Sequence, residues 1–258
     1  METLTAVIIT QNEAHNIGRC LESLQGVADE VVVVDSGSSD ESESICRKAG
    51  VRFEHHDWEG YSGQKNYADS LASCNWTLSI DADEALSDTL RDTLLRLKRE
   101  GMDGGTVYSV CRLNNYCGHW MRHGGWRPDE HVRLWRTGTA AWCGEVHEQL
   151  TFCQPMKRLR LQGDLLHYTY YTVDDHALRT VRYARLAGEK AFAEGRRCGG
   201  MAVVLKPVGT FLTKYLLKGG YRDGLMGYTA ARILSTYTLV KYARLRELTL
   251  ESNREGRS

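Results

Sequence analysis

The order of apolar and polar positions divides the chain into two regimes. Over the first hundred residues, short aliphatic runs alternate with segments of helical spacing. LTAVIIT (4–10) reads as a strand, and NIGRCLESLQ carries Ile17, Leu21 and Leu24 on one helical face. EVVVVD follows, with Val31 to Val34 an unbroken β-branched run of the kind that suits a parallel strand buried on both faces. It stops at Asp35 in a Ser/Gly turn. Asp40 is then the expected N-cap of the helix in ESESICRKAG, with Gly50 past its end. VRFEHH is a third strand, SGQKNYADSLA a helix, WTLSI a fourth strand and LSDTLRDTLLRLKRE a helix. Strands alternating with helices predict a doubly wound α/β sheet with right-handed crossovers. Ligands bind such sheets beyond the carboxyl ends of the strands. Thr10 to Asn12, Asp35 and Asp81 to Asp83 all fall at those ends, so they are expected to meet in one cleft.

From Thr106 the pattern changes to strand-like pieces, TVYSVC, HVRLWR, KRLRLQ and LLHYTYY, between Gly-rich, aromatic loops. These extend the sheet and form a second wall to the cleft. After Thr172 the spacing turns helical. Ala177, Val181, Ala184, Ala187 and Ala191 define an expected apolar face. Two more helices are expected at about residues 203–217 and 224–247. The domain reading is therefore 1–172, made of halves 1–105 and 106–172, followed by a helical extension at 173–258.

Composition narrows the class. The 258 residues include 42% hydrophobic and 26% charged positions, and Lys+Arg equals Asp+Glu at 33 each. That balance argues against nucleic acid as a partner and makes any functional charge local. The eight cysteines contain no CxxC pair, which speaks against a zinc ribbon or a redox dithiol and for reduced thiols in a cytoplasm. No basic segment precedes the N-terminal apolar run, and no run approaches the ~18 residues of a membrane-spanning helix.

The candidate chemistry begins at SIDADE. Asp81 and Asp83 stand two apart, on one side of the strand end if the chain is extended there. Carboxylate oxygens alone suit Mg²⁺ or Mn²⁺, which complete their shells with phosphate oxygens and water. The competing reading is a helix N-terminus favouring Asp83 and Glu84 through the dipole. The succession AVIITQNEAHNI, VVVVDSGSSD, GYSGQKNYA, SIDADE and GEVHEQL resembles family 2 glycosyltransferases of the GT-A fold. Within them it is most similar to bacterial lipopolysaccharide inner-core β-1,4-glucosyltransferases, a likeness that extends through HYTYYTVDDH and FLTKYLLKGGYRDGLMGY.

The resemblance implies a GT-A-type, Rossmann-like, mostly parallel sheet flanked by helices, with a C-terminal helical extension. It also implies an inverting transfer of a hexose, glucose from UDP-glucose, to an inner-core heptose. Asp83 is the implied metal ligand, with Asp81 at the ribose or assisting at the metal. Thr10, Asn12, Glu13 and Asp35 would line the nucleotide, although Asp35 also suits a plain turn. Lys65 would reach the sugar or diphosphate; its alternative is a solvated lysine at a helix end. Glu148 is the candidate general base, with Asp129 or Glu130 as rivals. In the run HWMRHGGWRPDEHVRLWR, aromatic faces and Arg forks suit a sugar-phosphate acceptor, which points to Trp126 and Arg127. His147 would orient an acceptor phosphate or act at the metal.

Between Lys206 and Glu247 basic residues outnumber acidic ones and are mixed with aromatic and aliphatic positions. Basic amphipathic helices of this kind lie on anionic membrane surfaces, here the inner leaflet where lipid-linked acceptors reside; the alternative is a helix that packs on the catalytic domain and shows its charges to water. The expected location is thus cytoplasmic and peripheral on the inner membrane. The alternative functions are a transferase acting on another envelope glycan or lipid-linked acceptor, and a nucleotide-sugar-binding protein with a decayed site. A nicotinamide oxidoreductase is disfavoured, because TQNEAHNIG stands where a GxGxxG would follow the first strand.

Overall fold

The computed structural model of the chain describes residues 2–144 and 148–255. In chain order the elements are β1 (Leu4–Thr10), α1 (Ile17–Leu24), β2 (Glu30–Asp35), α2 (Ser42–Lys48), β3 (Arg52–His55), α3 (Gly60–Ser70), β4 (Trp76–Asp81), β5 (Glu84–Leu86) and α4 (Asp88–Glu100). There follow β6 (Thr106–Tyr116), β7 (His119–Met121), β8 (Glu130–Arg136), β9 (Ala140–Cys143), β10 (Gln149–Phe152) and β11 (Lys157–Tyr170). Three α-helices complete the chain: α5 (Val173–Ala193), α6 (Gly200–Leu212) and α7 (Gly224–Glu255). They fall into two compact units, residues 1–113 with 128–168, and residues 114–127 with 169–258.

The first unit is built on a sheet with strands in the order β3-β2-β1-β4-β8-β6-β11-β5. The α/β class expected from the sequence is the one observed. Parallel pairing covers β3, β2, β1 and β4, whereas β8 runs antiparallel to β4 and β6, and β5 antiparallel to β11. Alternation of side chains explains how both faces are filled. Ala6, Ile8 and Val33 face a core with Ile17, Cys20, Leu21 and Leu24 of α1 and Leu90 and Leu94 of α4. Val7, Val32 and Val34 point the other way and pack on Ala68 of α3. Ser87 caps α4, its hydroxyl accepting from the Leu90 amide at 3.3 Å.

Local differences from the sequence expectation have physical causes. Asp40 is not the cap of α2; it stands one residue before Glu41, and its carboxylate accepts from the Ser42 amide at 2.9 Å and the Ala14 amide at 3.0 Å. It thereby ties two loops together. β5 was hidden because its three residues owe their strand geometry to tertiary pairing with β11, Leu86 opposite Leu165 and Glu84 opposite His167. Gly163 in β11 has φ +101°, and a Cβ there would collide with the backbone of Leu90. Only glycine fits where this strand passes α4.

In the second unit, α5 and α7 pack closely. The buried positions of α5 are His176, Thr180, Ala184, Gly188 and Ala191, a face rotated from the one expected, with Val181 left exposed. Close approach decides the rotation: a Cβ on Gly188 would lie 2.8 Å from the Lys241 carbonyl oxygen. Between α6 and α7 the chain makes a π-helical turn, Thr213–Leu217, and a 3₁₀ turn, Gly220–Asp223. β7 pairs with the last residues of β6 in this unit, Asn114 opposite Met121.

Candidate active site

The parallel strands bring the expected polar residues to one level. Thr10 pairs with Asp35 and Ile9 with Asp81 in register, so the carboxyl ends of β1, β2 and β4 are flush. The loops beyond them are bound to one another. The Asp35 carboxylate accepts from the amides of Gly37 at 2.9 Å and Ser38 at 2.8 Å, and from the Ser38 hydroxyl. This is the turn-forming arrangement an Asx residue favours. Asn12, with φ +56°, accepts from the Ser39 amide at 2.8 Å, and its own amide donates to Ser38. Glu13 accepts from the Asn16 side chain at 2.7 Å. The Thr10 hydroxyl is buried without a hydrogen-bond partner among the described residues. A buried hydroxyl in that state calls for a partner such as an ordered water or a ligand group.

The acidic stretch after β4 resolves into two separate environments. β4 ends at Asp81, the chain turns through Ala82 and Asp83, and β5 starts at Glu84. The expected extended pair facing one cation is therefore replaced by a turn that gives each carboxylate its own partner. Asp81 lies 2.8 Å from Nη2 of Arg133 and 3.4 Å from Nζ of Lys65. The same Nη2 reaches Glu84 at 2.7 Å, and the other Glu84 oxygen accepts from the Asp81 amide at 2.9 Å. Burial alone would raise the Asp81 pKa, but the charges of Arg133 and Lys65 hold it well below the usual carboxylate range. Glu84, fully enclosed, is pushed up by burial and by Asp81, against the charge of Arg133. Asp81 is thus engaged by cations of the chain itself, whereas the sequence places it at the ribose or assisting at a metal.

Asp83 instead faces His167 of β11, Oδ2 to Nε2 at 3.2 Å. Burial would lower the His167 pKa, yet the Asp83 hydrogen bond and the charges of Asp83 and Glu84 raise it. Carboxylate oxygen and imidazole nitrogen together form a donor pair suited to a divalent transition ion such as Mn²⁺. Among the described residues no group of three or more His, Cys, Asp or Glu side chains could hold a metal. Two protein ligands with phosphate oxygens and water in the remaining positions is nonetheless a usual pattern for a nucleotide-bound cation.

Lys65 lies on the second turn of α3, 7% exposed, with its ammonium 3.2 Å from Glu148 and 4.5 Å from the Trp142 ring centroid. The helix holds the β9–β10 hairpin directly. The Asn66 side chain donates to the Trp142 carbonyl at 2.9 Å and accepts from its amide at 2.8 Å. Ser62 donates to the Gly144 carbonyl at 2.6 Å, and the Trp142 indole donates to Asp69 at 3.1 Å. Glu148, just before β10, is thereby fixed over the end of β4.

These groups line a cavity of about 550 Å³, whose wall includes Lys65, Asp81, Arg133, Trp142 and Glu148 together with Arg112, Glu130, His131 and Arg158. The rival bases are tied to cations. Asp129 is bonded to Arg112 at 2.9 Å and His131 at 2.7 Å. Although burial would raise its pKa, hydrogen bonds from those partners hold it well below the carboxylate range. Glu130 accepts from Ser109 at 2.7 Å and from Arg158 at 2.9 Å, and the Ser109 bond leads in lowering it. Trp126 and Arg127 belong to the second unit, where Trp126 packs on Tyr116 with ring centroids 5.9 Å apart. His147 lies outside the described residues.

Residues 5–159 match glycosyl transferase family 2. The chain belongs to that family. The lipopolysaccharide core biosynthesis glycosyltransferase LpsC of Rhizobium meliloti is 31% identical over 94% of this chain and 91% of its own length. An uncharacterized glycosyltransferase of Rickettsia typhi is 26% identical over 98% of this chain and 89% of its own. Among solved structures, glucosyl-3-phosphoglycerate synthase of Mycobacterium tuberculosis matches 44% of each chain at 20% identity with a TM-score of 0.37.

Two side chains that the sequence did not bring forward, Arg133 and His167, stand at these acids. Both carried a signal. Arg133 sits within VRLW, and an arginine in the middle of an apolar strand implies a buried acid opposite it. His167 interrupts LLHY in the same way. Arg133 stands beside Asp81 and Glu84, and His167 beside Asp83.

Proposed function

We propose that this family 2 glycosyltransferase moves a hexose from a nucleotide-sugar donor, UDP-glucose, to a lipid-linked saccharide acceptor, an inner-core heptose of lipopolysaccharide, with inversion at the anomeric carbon. The observation that carries the reading is the position of Glu148. Among the described carboxylates lining the cavity, Asp81 and Glu130 are each paired with an arginine, and Glu148 meets only the Lys65 ammonium. A base must stand within hydrogen-bond reach of the hydroxyl it deprotonates. Glu148, fixed by the α3–hairpin contacts, takes the acceptor hydroxyl proton as the oxygen attacks the anomeric carbon and the nucleoside diphosphate departs. Lys65, between Glu148 and Asp81, supplies positive charge on the donor side of the cavity.

Asp83 and His167 would hold a divalent cation, Mn²⁺ or Mg²⁺. When bound, such an ion neutralises the charge that develops on the leaving diphosphate. Thr10, Asn12, Glu13 and Asp35 form the nucleotide side, and the partnerless Thr10 hydroxyl offers a bond to it. The lipid-linked acceptor is supported by the likeness to the Rhizobium lipopolysaccharide core biosynthesis glycosyltransferase and by the second unit. No described helix is long and apolar enough to cross a membrane. On α6 and the π-helical turn, Met201, Val204, Leu205, Val208, Leu212 and Leu216 are exposed at helical spacing, near Lys206, Lys214 and Lys218. This is the pattern of a helix lying in an anionic membrane surface, which fits a cytoplasmic, peripheral enzyme.

The test is a transfer assay with UDP-, GDP-, ADP- and dTDP-sugars, Mn²⁺ present, and heptose-bearing lipopolysaccharide fragments as acceptors. UDP-glucose is expected to give product. Transfer from another donor alone would overturn the donor assignment, and tight donor binding with no transfer to any acceptor would favour a decayed binding protein.

A further inference from the structure

The second unit contains a cationic cradle that the transfer chemistry above does not use. Residues 123–126 form the tight loop HGGW, in which Gly124 and Gly125 both have positive φ, +69° and +87°. Asp223, 6% exposed, clamps the approach to this loop. It accepts from the amides of Arg122 at 3.1 Å and His123 at 2.7 Å, and lies 3.0 Å from the His123 ring. The Gly124 amide donates to the Lys218 carbonyl at 2.8 Å, which binds the loop to the π-helical turn. A π-helical turn is a rare local form that is frequent at functional sites. Here it places Lys214 and Lys218 over Gly125.

The fit at Gly125 is close. A Cβ on that residue would lie 2.9 Å from Nζ of Lys214 and 3.4 Å from Nζ of Lys218. Two ammoniums therefore share the small space that the glycine leaves open. Neither has a carboxylate within ion-pair distance among the described residues, since the acid of this segment, Asp223, is spent on His123 and its loop. Burial, then the charge of Lys218, push the half-buried Lys214 below its ordinary value, as expected of like charges held together without a counter-ion.

We propose that Gly125, Lys214 and Lys218 form a binding site for a phosphate monoester. Two ammoniums match the charge of about −1.5 to −2 that such a group carries near neutral pH, whereas a carboxylate supplies one. Glycine at the floor lets the two ammoniums come together where any side chain would collide with them. Lysine ammoniums with rotatable donors serve phosphate as point charges. This inference goes beyond the transferase reading, because it requires neither donor nor metal. The monoester can be borne by a saccharide or by a lipid headgroup.

Lysine acetylation of the full-length protein, read residue by residue by mass spectrometry, tests it. Inorganic phosphate is titrated against sodium chloride and sodium acetate at matched ionic strength. Lys218 is expected to be protected several-fold by millimolar phosphate and little by chloride or acetate, while the exposed Lys48 and Lys190 stay unprotected. K214Q is expected to abolish the protection of Lys218 and K214R to retain it, with melting temperature confirming that each variant is folded. Protection at lower phosphate concentration by glucose 6-phosphate than by phosphatidic acid vesicles assigns the site to a saccharide, and the reverse order to a lipid; either supports the cradle. Equal protection by phosphate and chloride, or full protection in K214Q, overturns it.

Discussion

Lys65 and Glu148, 83 positions apart in sequence, meet with 3.2 Å between Nζ and Oε1. Helix α3 provides the lysine and also grips the hairpin that carries the glutamate, so the pair is set by the same contacts that fix the cavity wall. For Glu148→Gln, which keeps shape but cannot accept a proton, kcat is expected to fall by about 10²–10⁴-fold. UDP-sugar affinity and melting temperature should stay near wild type. Asp129→Asn and Glu130→Gln should cost less turnover, and a dead Asp129→Asn beside an active Glu148→Gln would move the base to that loop.

Asp83 and His167 are expected to carry the metal dependence of nucleotide binding. Calorimetric titration of UDP should show tighter binding with Mn²⁺ than with EDTA in wild type. That difference should vanish in Asp83→Ala and in His167→Ala. Asp81→Asn, whose carboxylate faces Arg133 and Lys65, should retain a metal-dependent increment even if overall affinity drops. Loss of the increment in Asp81→Asn alone would restore Asp81 as the ligand.

Arg133 neutralises two acids through one nitrogen. Arg133→Met leaves Glu84 and Asp81 without that partner in a buried setting, at a cost of about 3–5 kcal/mol. Urea denaturation measures it. Adding Glu84→Gln to Arg133→Met should recover part of the loss, because a neutral amide is cheaper to bury than a lone carboxylate. No recovery would show that packing, not charge, made Arg133 important.

His176 supplies a pH test confined to the second unit. Its ring is buried against Tyr170, with Nδ1 3.0 Å from the Tyr116 hydroxyl, and burial lowers its pKa to about 4. The unfolded chain titrates near ~6.5. Between those values the unfolded state binds the extra proton, so stability should fall as pH drops from about 6.5 to about 4 and be unaffected by this group above that window. Melting curves across that range, compared with His176→Phe, should show a steeper loss in wild type. Parallel curves would remove His176 from the acid response.

The exposed face of α6 should bind anionic vesicles, with binding that weakens as salt screens the lysines over about 8–10 Å. Leu205→Glu together with Leu212→Glu should leave the protein in the supernatant in sedimentation with phosphatidylglycerol liposomes. Retention of the double variant on the vesicles would assign adhesion to another surface.

The strands and helices of the parallel half were legible because each is long enough to state its own period. Val31 to Val34 suit a strand buried on both faces, and Ile17, Leu21 and Leu24 one helical face. β5 was not legible, since three residues have no period and Glu84–Leu86 are strand only because β11 lies alongside. On α5 the alanines and Val181 share one apolar period, whereas close contact with α7 at Gly188 turns a neighbouring face inward. In the site, Lys65 and Glu148 were visible as motifs, but their pairing was not, because no local rule links positions 65 and 148. The separation of Asp81 from Asp83 depended on a turn and on two partners, Arg133 and His167, contributed by distant strands.

The Asn66 amide does for Trp142 what the next strand of a sheet would do: it offers one donor and one acceptor at strand spacing. The outer edge of the β9–β10 ribbon is thereby closed by a side chain, and a backbone that would otherwise be a template for another molecule's strand is masked at that residue. Because Asn66 follows Lys65 directly, a shift of α3 that withdraws the ammonium from Glu148 also uncovers this edge. A molecule that loses its working geometry in this way becomes self-adhesive at the same moment, so inactivation and clumping of the protein should share one onset.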